Sequence, residues 1–341
     1  MKSTTIITLI ITFFFAHCAH AKGKKWKQRN QDRTSSTSES STSTVPNTVS
    51  GTGIHFGFNA KGNLNTTEQV QLTDQMLAGL PSKKAAEIVI RVNGGTTSQK
   101  DFSNDWSDGA LQSWASLQKK YGIRFVYVVN GNDSPLNQVK FIQRWVSKGV
   151  QFSFIEMMNE YYLPKFAKGD ASKKEVGKKV TAKSYVDEIL PTYFKELSSL
   201  NLPLFVICAP SKSGKRGQMM AQWNETVVAA MKKHTDIKWG VTLHLYKRPN
   251  EDFDYNQITD LRKKLPAGTP IAITEAGVLD KSGVAVRDHY AKIVSVLQPG
   301  DFLFDQVLYN NYKSDEIATL HPSSNGLTPK GKQVIEFYLG L

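Results

Sequence analysis

The sequence predicts a (β/α)8 barrel, and three observations predict it. Eight short apolar runs recur between residues 54 and 309, their starts 28 to 52 residues apart. Amphipathic helical patterns fill the gaps. The runs are rich in Val, Ile and Phe without strict polar alternation, as parallel strands covered on both faces require. Eight strand–helix units match such a barrel in number and length. An open doubly wound sheet would want a glycine-rich phosphate turn after its first strand, and His55-Phe56-Gly57-Phe58-Asn59-Ala60 has none.

At the start of the chain, Lys2 precedes the apolar run Ile6–Ala16 and then Ala19-His20-Ala21. This is the layout of a secretory signal peptide cut after Ala21, and the run is too short to span a bilayer. The expected location is secreted, extracellular or periplasmic. Lipidation at Cys18 is the weaker alternative, because His17 precedes it where a small residue belongs. Residues 22–50 carry Lys22, Lys24, Lys25, Lys27, Arg29 and Arg33 against Asp32 and Glu39, and end in TSSTSESSTSTVPNTVS. So polar a segment cannot bury enough apolar area to offset chain entropy, which predicts a disordered, basic arm and linker. The folded domain is expected over 51–341.

The strand candidates are Ile54–Phe58, Glu87–Val92, Arg124–Val129, Phe152–Met158, Leu204–Cys208, Trp239–Leu243, Pro270–Thr274 and Asp305–Tyr309. Helical periodicity is clearest over Leu136–Val146 (Leu136, Val139, Ile142, Val146) and Tyr185–Leu197. The stretch Ser211 to Gly217 lacks the spacing of a phosphate loop and reads as a basic loop. With the leader removed, Cys208 is the sole thiol, so no internal disulfide forms, and its apolar run places it in the core. No further segment is long and apolar enough to be a transmembrane span. The formal net charge is +13; such a balance suits contact with anionic surfaces or polymers. No nucleic-acid module appears, so nucleic acid is not an expected partner. No cofactor and no metal are expected, and the chain is read as a monomer.

In barrels of this kind the chemistry sits at the C-terminal ends of the strands. Run four, FSFIEMM, continues into Asn159-Glu160; run seven, PIAIT, continues into Glu275-Ala276-Gly277. Two carboxyls so placed are what cleavage of a glycosidic bond needs, one to protonate the leaving oxygen and one to attack or to activate water. Each glutamate taken alone could instead be a helix-start carboxylate favoured by the macrodipole.

On these residues the sequence resembles clan A of the glycoside hydrolases. Ile155-Glu156-Met157-Met158-Asn159-Glu160 is similar to that clan's strand-four signature, and Ile273-Thr274-Glu275 to its strand-seven nucleophile. His244-Leu245-Tyr246 is similar to its His-x-Tyr, and Arg91 to an arginine that steadies the nucleophile. The resemblance implies a retaining mechanism with Glu160 as acid/base and Glu275 as nucleophile. It further implies Asn159 on the sugar's 2-hydroxyl, Tyr246 and Arg91 on Glu275, and His244 near the leaving side. Glu156 reads as the partner of a buried cation, and Arg91 could be that cation; His244 could be a barrel-rim histidine.

The chain also departs from the clan. Tyr161-Tyr162 follows Asn159-Glu160 where many members have Pro. Strand eight closes on Tyr309-Asn310-Asn311-Tyr312 where a Trp platform is common, and strand three on Asn130-Gly131-Asn132 where some have His. Trp106, Trp223, Tyr161, Tyr162 and Tyr309 are candidate sugar platforms, Asn130 a candidate subsite polar group, and His55 either core or subsite. Residues 161–183 carry seven lysines against Asp170 and Glu175. At the rim they would favour an anionic cell-surface or exopolysaccharide cut internally; a solvated lysine loop is the plainer reading. A glycan-binding barrel without catalysis is the alternative function.

Overall fold

The computed structural model describes residues 53–61, 67–94, 99, 107–163, 180–211, 214–248, 252–278, 286–309, 318–324 and 326–341. The expected signal peptide and basic arm lie outside the described residues, as do Trp106, Asn310, Tyr312 and positions 164–179 of the lysine-rich loop.

Eight parallel strands close into a barrel in chain order: β1 (His55–Lys61), β2 (Val89–Gly94), β3 (Arg124–Val128), β4 (Phe152–Met157), β5 (Leu204–Ile207), β6 (Trp239–Lys247), β7 (Ile271–Val278) and β8 (Phe302–Asp305). Closure runs through the β1–β8 ladder, His55 to Phe58 against Phe302 to Asp305. Around it stand α1 (Thr67–Ala78), α2 (Ser82–Glu87), α3 (Asp108–Tyr121), α4 (Pro135–Ser147), α5 (Leu190–Leu197), α6 (Gly214–Met231), α7 (Asn256–Lys264), α8 (Val286–Val294) and α9 (Pro329–Leu339). A π-helical turn, Tyr185–Ile189, leads into α5. Local sequence sets several starts: the Ser107, Ser134 and Thr328 side chains accept from the third helical N–H of α3, α4 and α9, and proline opens the latter two. Among the described residues no helix is long and apolar enough to cross a membrane.

The eighth strand lies three residues earlier than expected. Phe302 and Phe304 project into the barrel while Leu303 packs outward, so the alternating run Phe302–Asp305 outcompetes the expected Asp305–Tyr309. Tyr309 keeps only an isolated bridge to Leu320. The α4 stripe also needs correction. Leu136 and Val146 are 58% and 47% exposed, and the buried face is Gln138, Val139, Ile142 and Trp145. Of the expected basic loop, Gly214 onward is helix α6. Cys208 is buried in the core, where burial pushes its thiol up to about 12.

Two layers fill the barrel interior. The lower one is apolar and aromatic: Val89, Val126, Phe154, Phe205, Ala272, Phe302 and Phe304. Phe154 stacks on Phe205 at 3.9 Å between centroids. Gly240 makes that stack possible, because a Cβ there would meet the Phe205 ring at 2.6 Å. The upper layer, toward the C-terminal ends of the strands, is polar. An apolar floor beneath polar groups removes water from one side of them and strengthens their mutual electrostatics.

Candidate active site

Alternation along β2 points Arg91 inward above Val89, and along β4 points Glu156 inward above Phe154. The chain then leaves β4 through two left-handed residues, Met158 (φ 75°) and Glu160 (φ 44°). Backbone of this kind is costly for non-glycine residues and persists where the surroundings hold it. The turn brings Glu160, four residues beyond Glu156, to the same imidazole: His244 Nε2 is 3.6 Å from Glu156 Oε1, and His244 Nδ1 is 3.4 Å from Glu160 Oε1.

Strand β7 reaches the layer by a different device. Its register slips against both neighbours: Leu243 pairs Ile273 but His244 pairs Glu275, and Ile273 pairs Leu303 but Ala276 pairs Asp305. The extra residue is a bulge. Two consecutive side chains thereby enter the barrel, Thr274 donating to Glu156 Oε1 at 3.1 Å and Glu275 accepting from Arg91 at 2.8 Å. Regular alternation would have turned one of them out.

Arg91 organises the layer. Its side chain is completely buried, and every N–H of the guanidinium finds an acceptor. Nε donates to Glu156 Oε2 (2.5 Å), Nη2 to Glu156 Oε1 (3.0 Å) and Asn159 Oδ1 (3.1 Å), Nη1 to Glu275 Oε1 (2.8 Å) and Asn59 Oδ1 (3.0 Å). Burial opposes its charge, but the two carboxylates outweigh that and raise its pKa. Glu156 answers in kind: burial alone would raise it, and Arg91 with His244 holds it lowered. Arg91 thus pairs with both Glu156 and Glu275, the two carboxylates between which the sequence left it open. The second oxygen of Glu275 accepts from the Tyr246 hydroxyl, which burial first and the neighbouring Glu275 charge second keep protonated.

His244 faces carboxylates on both sides, with Glu275 Oε2 3.9 Å from Nδ1. Burial pulls its pKa down, yet the charge of Glu275 and the hydrogen-bonding pull of Glu156 and Glu160 carry it up to about 9. The ring is therefore an imidazolium near neutrality. A folded pKa above the ordinary value of roughly 6.5 contributes stability that is complete below about pH 6.5 and lost as pH rises through the folded value. The thermal midpoint is expected to fall more steeply between pH 6 and 10 in the wild type than in His244→Asn. Parallel slopes in a pair of melting series would contradict the charge assigned to His244.

The pair Glu160 and Glu275 is thus brought together with Asn159, His244, Tyr246 and Arg91. Sequence reasoning missed Asn59 and Thr274, which hold Arg91 and Glu156; Tyr162, expected as a sugar platform, is buried against Trp223 with its hydroxyl donating to Glu160 Oε1 at 3.2 Å. Inward alternation from Gly57 would have flagged Asn59; nothing local flags Thr274. Other candidates lie elsewhere. Tyr161 is fully buried with its hydroxyl on Gly131 O and Asn132 Oδ1, leaving no face for a sugar. Trp223 packs on Tyr185 and donates to Ile207 O. Tyr309 is buried and donates to Glu68 on α1 at 2.6 Å. Asn130 is buried in the loop after β3, its Oδ1 accepting from Asn132 N and its own N–H donating to Gln138. His55 stacks on Phe302 at the opposite, N-terminal end of the barrel. Among the described residues no group of His, Cys, Asp and Glu is arranged to hold a metal ion.

No protein-family model and no curated protein matches the chain. Solved structures do. Native xylanase 10B from Thermotoga maritima superposes with a TM-score of 0.53 at 10% identity, covering 84% of this chain and 95% of that one. A family GH128 (subgroup VI) exo-β-1,3-glucanase from Aureobasidium namibiae gives 0.50 at 13% identity, with 85% and 97% covered. A family GH30 endoxylanase from Clostridium papyrosolvens C71 gives 0.50 at 12%, with 84% and 72% covered. The chain shares the (β/α)8 fold of these glycoside hydrolases.

Proposed function

We propose that this chain is a retaining glycoside hydrolase that cleaves β-glycosidic bonds of a polysaccharide, with Glu275 as nucleophile and Glu160 as acid/base. The observation that carries this reading is that one imidazole nitrogen stands 3.4 Å from Glu160 and 3.9 Å from Glu275. The sum of those distances bounds the separation of the two oxygens. It accommodates the roughly 5–5.5 Å of a double-displacement pair and excludes most of the roughly 6.5–9.5 Å used by inverting pairs.

The surroundings support distinct roles. Glu275 takes a guanidinium on one oxygen and a tyrosine hydroxyl on the other, contacts that favour its ionised form. Arg91 and His244 balance Glu156 and Glu275, so a proton on Glu160 leaves the layer neutral. In the first step Glu275 attacks the anomeric carbon, Glu160 gives its proton to the glycosidic oxygen, and the carbon–oxygen bond breaks. With Glu275 esterified its charge is gone, and Glu160 becomes the better base. It takes a proton from water, whose oxygen attacks the anomeric carbon and frees Glu275. Arg91 fixes the Asn159 amide by its oxygen, which presents its NH2 side to a sugar 2-hydroxyl.

We assign the enzyme to an extracellular, anionic, internally cut polysaccharide, on the basis of the charge of +13 and the lysines of 161–183. Matched neutral and acidic polysaccharides, each at low and high salt, identify the substrate; preference for the acidic member that fades with salt is expected. The corresponding 2-fluoro glycoside with a good leaving group then traps the intermediate. Mass spectrometry should find one sugar on the peptide bearing Glu275. A label on another residue sinks the assignment. Binding without turnover or label favours the glycan-binding alternative.

A further inference from the structure

We infer that Gln306 is a sugar-recognition residue, its side-chain amide taking a hydroxyl of the sugar seated against Glu275. Gln306 follows β8 directly and continues its inward series Phe302, Phe304. Its place in the mouth is fixed by Gly277. That glycine pairs with Tyr246 in the ladder where His244 pairs with Glu275, so all four share the inward face. A Cβ on Gly277 would fall 2.1 Å from Gln306 Oε1 and 2.3 Å from its Cδ. The amide therefore occupies the space that a side chain at 277 would fill, two positions beyond the proposed nucleophile. Tyr246, whose hydroxyl bonds Glu275, lies across the ladder.

Gln306 is 3% exposed, and its Nε2 is buried with no hydrogen-bond partner. Around it Arg91 uses every donor, Thr274 donates to Glu156, and the Asn59 side-chain amide donates to the Gln306 backbone carbonyl, while Thr242 Oγ1 and His244 Nδ1 on β6 are, like Gln306 Nε2, buried without a hydrogen-bond partner. An unpaired buried amide is a standing penalty to the folded chain that an apolar residue of like size would remove. A partner from outside removes that penalty, and beside the proposed nucleophile the sugar is placed to supply one. A hydroxyl suits it, since it can both accept from Nε2 and donate to Oε1. Asn159 meets the layer from the end of β4, across the barrel from β8, so the two amides reach it from opposite strands.

This inference rests on the reading of Glu160 and Glu275, and its test separates the two. The panel is 4-nitrophenyl β-glycosides of glucose, xylose, galactose and glucuronic acid, followed by the monodeoxy analogues of the best substrate. Wild type should lose about tenfold in kcat/KM on one deoxy analogue. Gln306→Met should lose about tenfold on the parent sugar and nothing further on that analogue, while its melting temperature stays level or rises. Gln306→Ala provides the same comparison if the methionine packs badly. An equal loss on every analogue in both variants, or a lower melting temperature with unchanged sugar discrimination, makes Gln306 structural and overturns the inference. If neither these glycosides nor any of the neutral and acidic polysaccharides is turned over, the glutamate reading fails by itself. Calorimetric binding of the four panel sugars, and then of the monodeoxy analogues of the tightest binder, to wild type and Gln306→Met decides Gln306 separately: equal affinities overturn it, and a single coupled hydroxyl upholds it.

Discussion

Replacing Glu160 with alanine is expected to lower kcat/KM by about 10²–10⁴-fold on glycosides with a poor leaving group, the range general acid catalysis contributes. The deficit should shrink sharply for a dinitrophenyl leaving group, which departs without a proton. On that substrate breakdown of the glycosyl intermediate becomes limiting, since no base remains to activate water. Added azide, which needs no deprotonation, should then restore turnover and give a β-glycosyl azide. The signature follows from placement: Glu160 sits on the His244 side of the layer and takes the Tyr162 hydroxyl, whereas Glu275 is the carboxylate that Arg91 grips. Stopped-assay kinetics over the two leaving groups check it. An identical deficit on both, with no response to azide, would assign Glu160 a structural task.

Arg91→Met is expected to cost more in stability than any exposed substitution. It strips two buried carboxylates, Glu156 and Glu275, of their guanidinium partner and removes the Arg91 donors from Asn59 and Asn159 Oδ1 as well. Breaking a buried pair by removing one member typically costs about 3–5 kcal/mol. For a domain of this size that corresponds to a drop on the order of 10 °C in thermal midpoint. Arg91→Met/Glu156→Met should regain part of the loss, because one unpaired charge leaves with the second substitution, yet remain inactive. Calorimetric melts of the three proteins decide the matter. A single variant that melts with the wild type would mean that the layer relaxes around the missing cation.

Much of this was legible in the chain. Eight apolar runs set the barrel, and the position of Asn159-Glu160 follows from where run four stops; β7 runs on past Thr274 to Val278, so Glu275 stands within the strand. Arg91 and Tyr246 were legible only through the resemblance of Ile90-Arg91-Val92 and His244-Leu245-Tyr246 to clan A. Other features are properties of closure. The five-way use of Arg91 requires β1, β2, β4 and β7 to converge, and no local pattern encodes that. The bulge in β7 is silent because Thr274 is a good strand residue in either register. Tyr161 was misplaced because an aromatic beside an acid looks like a platform, whereas the left-handed turn at Glu160 sends it toward Gly131. Strand eight was mislocated because Val307, Leu308 and Tyr309 are buried without belonging to the ladder.

That bulge sets the barrel's tolerance to deletion. Loss of Thr274 or of one neighbour would restore an uninterrupted ladder against both β6 and β8, so a shortened β7 would give a more regular sheet. It would also rotate Glu275 or the residue supporting Glu156 out to the helices. Sheet regularity and the polar layer are thus competing solutions for the same strand. A screen of single-codon deletions across β7 that selects only for folding would drift toward the silent one.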